Sequence, residues 1–206
     1  MLRQLIAVAL LCLCAAVARA TPTVPMPGEH DPVAVGPYAE VLEDPAGKLT
    51  LADVAAANGF VPLARRIPNF GYTYSAFWLR FRLPPDPGAM VAPFLNLEIR
   101  FPSIDYIELD VPYRTAQGIE YRTQRGGDQL PWDARAVKHR SHVFRIPFAG
   151  LADAPVYLRV QTESVLTVPV FLWRPDAMAA ADRDSQLGYG LFYGWSSRCS
   201  STTSCC

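Results

Sequence analysis

The sequence predicts an all-β protein, an antiparallel jelly-roll sandwich closed by one C-terminal helix. Three observations carry this. Apolar and polar residues alternate at period two through most of the chain, Gly/Pro/Asp clusters separate the alternating runs, and only the stretch after Pro175 has helical composition. Phe77, Leu79, Phe81 and Leu83 alternate with Trp78, Arg80 and Arg82. Leu95, Leu97 and Ile99 alternate with Asn96, Glu98 and Arg100, and Ile107, Leu109 and Val111 with Glu108 and Asp110. Each run reads as a half-buried strand. The pattern continues through 119–123, 142–148, 156–162 and 166–173, with turn chemistry at 84–88, 126–128, Gly150 and 153–155. Seven or eight strands with no helix between them make a sandwich, and roughly 160 residues suffice for one domain with a full core. Leu79, Phe81, Leu97, Ile99, Leu109, Phe144, Leu158 and Val160 are expected in that core.

The N-terminus reads as an export signal, residues 1–20. Arg3 supplies the basic start, residues 5–17 the apolar segment and Ala18-Arg19-Ala20 the small-x-small cleavage site, so the mature chain is expected to begin at Thr21. About 13 apolar residues are too few to span a bilayer. Residues 21–37 are Pro-rich and polar and read as a leader ahead of a jelly-roll domain at 38–174. The helix begins at Pro175, a residue favoured at the first helical position, and runs to about Leu187. Residues 175–195 form the helix and a juxtamembrane segment, because Tyr189, Phe192, Tyr193 and Trp195 suit a bilayer interface.

Residues 196–206 are expected to be an aberrant tail. One base lost near the Trp195 codon would convert NTC codons for Phe, Leu, Ile or Val into serine codons, and NTG codons for Leu, Val or Met into cysteine codons. The Ser/Cys-rich tail then reads as the start of an apolar membrane helix in another frame. A genuine polar tail is the alternative. The basic residues are Arg apart from Lys48 and Lys138, as a GC-rich coding sequence would give.

Composition removes several function classes. Cys12 and Cys14 lie in the signal and Cys199, Cys205 and Cys206 in the tail, so residues 21–195 hold no cysteine and can build neither a disulfide framework nor a thiolate metal site. Without Arg3 and Arg19 the mature chain carries 19 − 2 = 17 basic residues against 19 acidic ones. That balance argues against nucleic acid as a partner. His30, His139 and His142 form no ligand set, since the last two point to opposite faces of a strand-like stretch. No cofactor or metal is expected, and Gly-x-Ser-x-Gly, His-Glu-x-x-His and Walker sequences are absent from the chain.

Tyr38-Ala-Glu-Val-Leu-Glu-Asp44, Leu49-Thr-Leu-Ala-Asp53, Phe77-Trp-Leu-Arg-Phe81, Tyr157-Leu-Arg-Val160 and Gly188-Tyr-Gly-Leu-Phe-Tyr-Gly194, in this order, resemble the second type of extracellular domain of bacterial 7TM-DISM receptors. These are seven-transmembrane receptors with diverse intracellular signalling modules. The resemblance implies a jelly roll similar to carbohydrate-binding modules, followed by membrane helices and a cytoplasmic diguanylate cyclase, histidine kinase or similar output. Gly126-Gly-Asp-Gln-Leu130 resembles a diguanylate cyclase signature. It lies in an exported β domain, however, and Gln129 and Leu130 replace the last two signature residues, so it reads as a turn joining strands.

Two groups are candidates for ligand contact. Trp78, Arg80 and Arg82 line one strand face, and Tyr157, Arg159 and Gln161 a second; aromatic faces stack on sugar rings while Arg and Gln donate directed hydrogen bonds. The same residues can instead pack, with Trp78 under the terminal helix and the arginines against Glu98, Glu108 or Asp110. The second group is Trp132 and Arg135, with His139 and Arg140, in a long loop. The chain is thus expected to be a non-catalytic periplasmic or extracellular sensory domain, with a small-molecule or carbohydrate ligand and the inner membrane as partners. A freestanding secreted carbohydrate-binding protein is the alternative. An exported hydrolase would need a carboxylate pair, for which Glu108 and Asp110 are the candidates.

Overall fold

The computed structural model describes residues 21–86, 92–135 and 137–201. The expected export signal and the end of the tail, 202–206, lie outside the described residues, and so do the side chains of the aromatic run from Tyr189 onward. The strands are β1 Val33–Ala34, β2 Glu40–Asp44, β3 Val61–Pro62, β4 Asn69–Tyr72, β5 Ala76–Phe81, β6 Phe94–Ile99, β7 Tyr106–Thr115, β8 Gly118–Gly126, β9 His142–Pro147, β10 Val156–Gln161, β11 Val165–Thr167 and β12 Val170–Trp173. The helices are α1 Leu51–Ala56 and α2 Pro175–Ser201.

Period-two alternation gives each strand one apolar face, and pairing aligns those faces. A six-stranded sheet has the order β3-β2-β5-β10-β7-β8 and a four-stranded sheet the order β1-β12-β6-β9; β11 and β4 form a separate ribbon. All the pairings between these strands are antiparallel. In the larger sheet Leu79 lies between Val41 and Leu158, and Leu158 pairs in turn with Leu109. In the smaller sheet Leu97 lies between Leu172 and Phe144. These residues belong to a single buried cluster, so the two sheets face each other across one core, an antiparallel β-sandwich. Every residue expected in that core is buried.

Two sequence expectations change. Residues 21–37 are not a leader but part of the sandwich. Val24 and Val35 are fully buried, the Val24 N–H donates to the Arg82 carbonyl (2.9 Å), and β1 pairs with β12 at the edge of the smaller sheet. The prolines masked this, because they break periodicity on an edge that tolerates missing donors. The second change is α1, a helix where none was expected between strands. Thr50 caps it: its hydroxyl accepts from the Asp53 N–H (3.3 Å), and the Asp53 carboxylate accepts from the Thr50 N–H (2.9 Å). The Thr50 hydroxyl also donates to the Asp53 carboxylate (2.6 Å), and this bond and the one from the Thr50 N–H hold the Asp53 carboxyl below its ordinary value.

The terminal helix starts as expected, with Met178 N–H donating to the Arg174 carbonyl (3.1 Å). It extends past 187 to Ser201. Ala177 and Met178 bury against Val143, Phe171 and Trp173, on the outer face of the smaller sheet. Among the described residues no helix is long and apolar enough to cross a membrane. A variant lacking residues 21–35 loses β1 and exposes the edge of β12. Thermal melting should show a clearly lower midpoint than the intact chain, and equal midpoints would reduce the segment to an appendage.

Candidate functional site

The register brings the first predicted group together: Arg80 pairs with Tyr157, and Trp78 with Arg159, on the outer face of the six-stranded sheet. That face is covered rather than open. Trp78 is 2% exposed and Tyr157 3%, both packed with Val54 of α1, and Leu42, Leu51, Phe60 and Tyr121 close the cluster. The cover is α1, not the terminal helix. Arg80 lies 4.0 Å from the Phe60 ring centre and pairs with Glu40 at 2.8 Å. Arg82 pairs with Asp153 (2.7 Å), and Arg159 donates to the Gly47 carbonyl (3.1 Å) and to Gln161 (2.7 Å). A sugar ring therefore has no free aromatic face here. The indole Nε1 of Trp78 is buried without a hydrogen-bond partner among the described residues, so packing is what this side chain contributes.

The second predicted group lies apart, in the connection between β8 and β9. Trp132 keeps half of its surface exposed, and the Arg135 guanidinium sits 4.8 Å from its ring centre. The pair is an aromatic platform already occupied by a cation.

Sequence reasoning missed a cavity at one end of the sandwich, where three connections meet. Ser103 and Asp105 come from the β6–β7 connection and Tyr106 from the start of β7, Asp128 and Gln129 from the turn after β8, and Thr162, Glu163 and Ser164 from the β10–β11 connection. Together they line about 380 Å³. The Gly126-Gly-Asp-Gln turn builds one wall. Gly127 has φ 126°, and a Cβ there would lie 2.0 Å from the Asp105 carbonyl oxygen, so only glycine lets the turn approach this closely. The Asp128 N–H then donates to the Ile104 carbonyl (2.8 Å).

The cavity is acidic. Burial would raise the Asp105 carboxyl, but hydrogen bonds from the Glu163 N–H (2.8 Å), Thr162, Gln129 and Asp128 outweigh it and hold Asp105 below its ordinary value. Burial, the Asp105 charge and the bond to Asp105 push Asp128 up, against His142 and Gln129. One exposed tyrosine lines the cavity and two more stand on and beside the neighbouring ribbon. The first is Tyr106, and the ribbon β4–β11 brings Tyr72 and Tyr74 to the same end, their rings 5.6 Å apart and edge to face. The Thr73 N–H donates to the Ser164 carbonyl (3.4 Å), which ties that ribbon to the cavity wall. The signals for this site were the loop positions of the Gly-Gly turn and the polar-flanked Tyr72-Thr-Tyr74 run.

A second cavity of about 360 Å³ lies at the seam between α2 and the four-stranded sheet, lined by Glu98, Arg100, Arg140, Trp173, Asp182 and neighbouring serines. Glu98 accepts from Arg100 Nε and from Trp173 Nε1, both at 2.8 Å. Asp182 on α2 meets His139 Nε2 at 3.0 Å and Arg140 at 3.6 Å. The Ser141 N–H donates to His139 Nδ1 (3.1 Å), which leaves Nε2 to donate to Asp182.

Between the two cavities His142 donates from Nε2 to the Pro102 carbonyl (3.0 Å). Burial lowers its pKa most, with Arg135 adding and the Pro102 bond and Asp128 opposing. The unfolded chain therefore binds the proton first. Stability contributed by neutral His142 is complete above its ordinary value of 6.5 and is lost as pH falls through the lower folded value. Urea unfolding of the native chain at about pH 7.5 and about pH 5 should show an acid loss that His142→Gln reduces; an equal loss in the variant would clear His142 of the effect. A second expectation concerns Trp78. Trp78→Ala should cost about 3–5 kcal/mol in urea unfolding, whereas Trp78→Phe, which discards only an unpartnered N–H and part of the ring, should cost much less.

Comparison with curated proteins finds no match. The model of the family described as 7TMR-DISM extracellular 2 matches residues 36–174, from the turn before β2 through the end of β12 and the residue that opens α2. The chain belongs to the 7TMR-DISM extracellular 2 family and is an extracellular sensory domain of a receptor.

Proposed function

We propose that the chain is the periplasmic ligand-sensing domain of a seven-transmembrane signalling receptor, and that it binds a small neutral carbohydrate in the cavity at the end of the sandwich. The observation that supports this reading is the acidic, hydroxyl-lined cavity with exposed Tyr106 in its wall and exposed Tyr72 and Tyr74 on the adjoining segment tied to Ser164. Carboxylate and amide oxygens of Asp105, Asp128, Glu163 and Gln129 accept hydrogen bonds from sugar hydroxyls, while exposed tyrosine rings supply flat apolar area for stacking. The same carboxylates repel acidic sugars, which narrows the class to neutral ones. In this reading the chain binds its ligand without transforming it. The export signal leads to the periplasm, α2 leads toward the inner membrane, and the output module, a diguanylate cyclase, histidine kinase or similar, belongs to the cytoplasmic part of the receptor.

Isothermal titration against a panel of neutral mono- and disaccharides tests the reading. At least one sugar should bind saturably, and Tyr106→Ala and Asp128→Ala should each weaken it about tenfold or more, roughly 1.4 kcal/mol. Both residues are exposed, so folding should persist. Absence of binding across the panel, or binding indifferent to both substitutions, would overturn the assignment.

A further inference from the structure

We propose that the seam between α2 and the four-stranded sheet is a second ligand site, that it takes a small carboxylate between Arg100 and Arg140, and that its occupant displaces Asp182 of α2. The site is separate from the end cavity, and unlike that cavity its lining carries two guanidinium groups, those of Arg100 and Arg140, beside the carboxylates of Glu98 and Asp182.

The donors and acceptors of the seam are unequally engaged. Glu98, 5% exposed at its side chain, already accepts from both Arg100 Nε and Trp173 Nε1. Asp182 already accepts from His139 Nε2. The donors keep capacity in reserve. The Arg100 guanidinium is fixed in place, 4.3 Å from the Phe171 ring centre and 5.2 Å from that of Trp173, and its only side-chain hydrogen bond among the described residues is the one from Nε. Its two Nη nitrogens remain for a partner. Arg140 is half exposed, with long contacts to Asp182 (3.6 Å) and Ser185 (3.5 Å). The hydroxyls of Ser141 and Ser185 complete the lining. A preorganised guanidinium with free Nη donors, beside a second, half-exposed guanidinium in the same lining, fits a carboxylate in paired geometry. About 360 Å³ suits a molecule the size of a dicarboxylate or a sugar acid.

The site can also report its occupancy. Arg140 lies in the connection that leads into β9, and Asp182 and Ser185 on α2. A bound carboxylate takes the place of Asp182 on Arg140 and so weakens one tie between helix and sheet. It shifts the balance between docked and loosened α2 only because it binds the loosened state better, which is the condition for any ligand-driven change.

Nuclear magnetic resonance of the purified chain tests this through the indole N–H of Trp173, assigned with Trp173→Phe, using succinate and galacturonate as probes, inorganic phosphate as the competing anion and galactose as the neutral control. Both carboxylates should shift the Trp173 resonance saturably, and hydrogen exchange within α2 should quicken. Arg140→Ala should weaken binding about tenfold or more. Asp182→Asn, which keeps an oxygen for His139 but removes the competing charge, should tighten it several-fold. Tyr106→Ala should leave carboxylate binding unchanged, so failure of the end cavity as a sugar site is read separately. No saturable shift with either carboxylate, equal binding of phosphate, or binding untouched by Arg140→Ala would each overturn the proposal.

Discussion

Each sheet of this sandwich is buried on its inner face and, over its aromatic residues, on its outer face as well, and that constraint decides where chemistry can occur. The inner faces meet in the common core. On the outside, the 45–60 segment with α1 closes over Trp78 and Tyr157 of the larger sheet, while α2 closes over Val143, Phe171 and Trp173 of the smaller one. Large aromatics on an outer face would otherwise stand as an apolar patch in water, a cost that burial of each ring removes at roughly 25 cal/mol per Å². With those outer aromatics covered, concave polar surface remains where connections meet at the end of the sandwich and where a helix rests imperfectly on a sheet. The two large polar cavities described above occupy those two kinds of place.

The strands, their inward residues and the terminal helix were legible in the sequence because they depend on local periodicity. Leu79, Leu97, Leu109 and Leu158 sit inside because alternation leaves them no other face. The outer face was legible only halfway. Period two places Trp78, Arg80, Tyr157 and Arg159 together, as they are, but it carries no information about what lies above them. The cover was written in Thr50-Leu-Ala-Asp53, a four-residue capping signal ahead of a helix too short for helical periodicity to register. The end cavity was hidden for a different reason. Its residues come from positions 103–106, 128–129 and 162–164, and only the register of the six-stranded sheet brings these connections to one place. The Gly-Gly-Asp turn was visible as a turn, while the close approach to Asp105 that makes it a cavity wall is a tertiary fact.

The two cavities share a piece of chain. Arg100, at the seam, and Ser103 and Asp105, in the end cavity, all lie in the segment that carries the chain from β6 in one sheet to β7 in the other. Its middle is pinned by the hydrogen bond from His142 to the Pro102 carbonyl, and His142 follows Ser141 and Arg140, which line the seam from the other side. A ligand that draws on Ser103 or Asp105 therefore pulls on a segment whose next side chain inward is held in a stack of Phe171 and Trp173 beneath α2. Close-packed groups with few alternative arrangements transmit a displacement rather than absorb it. If the end cavity binds a ligand as proposed, the Pro102 to His142 bond is the contact through which its occupancy would reach the helix. A sensory domain needs such a connection if a ligand bound among loops is to act on its terminal helix.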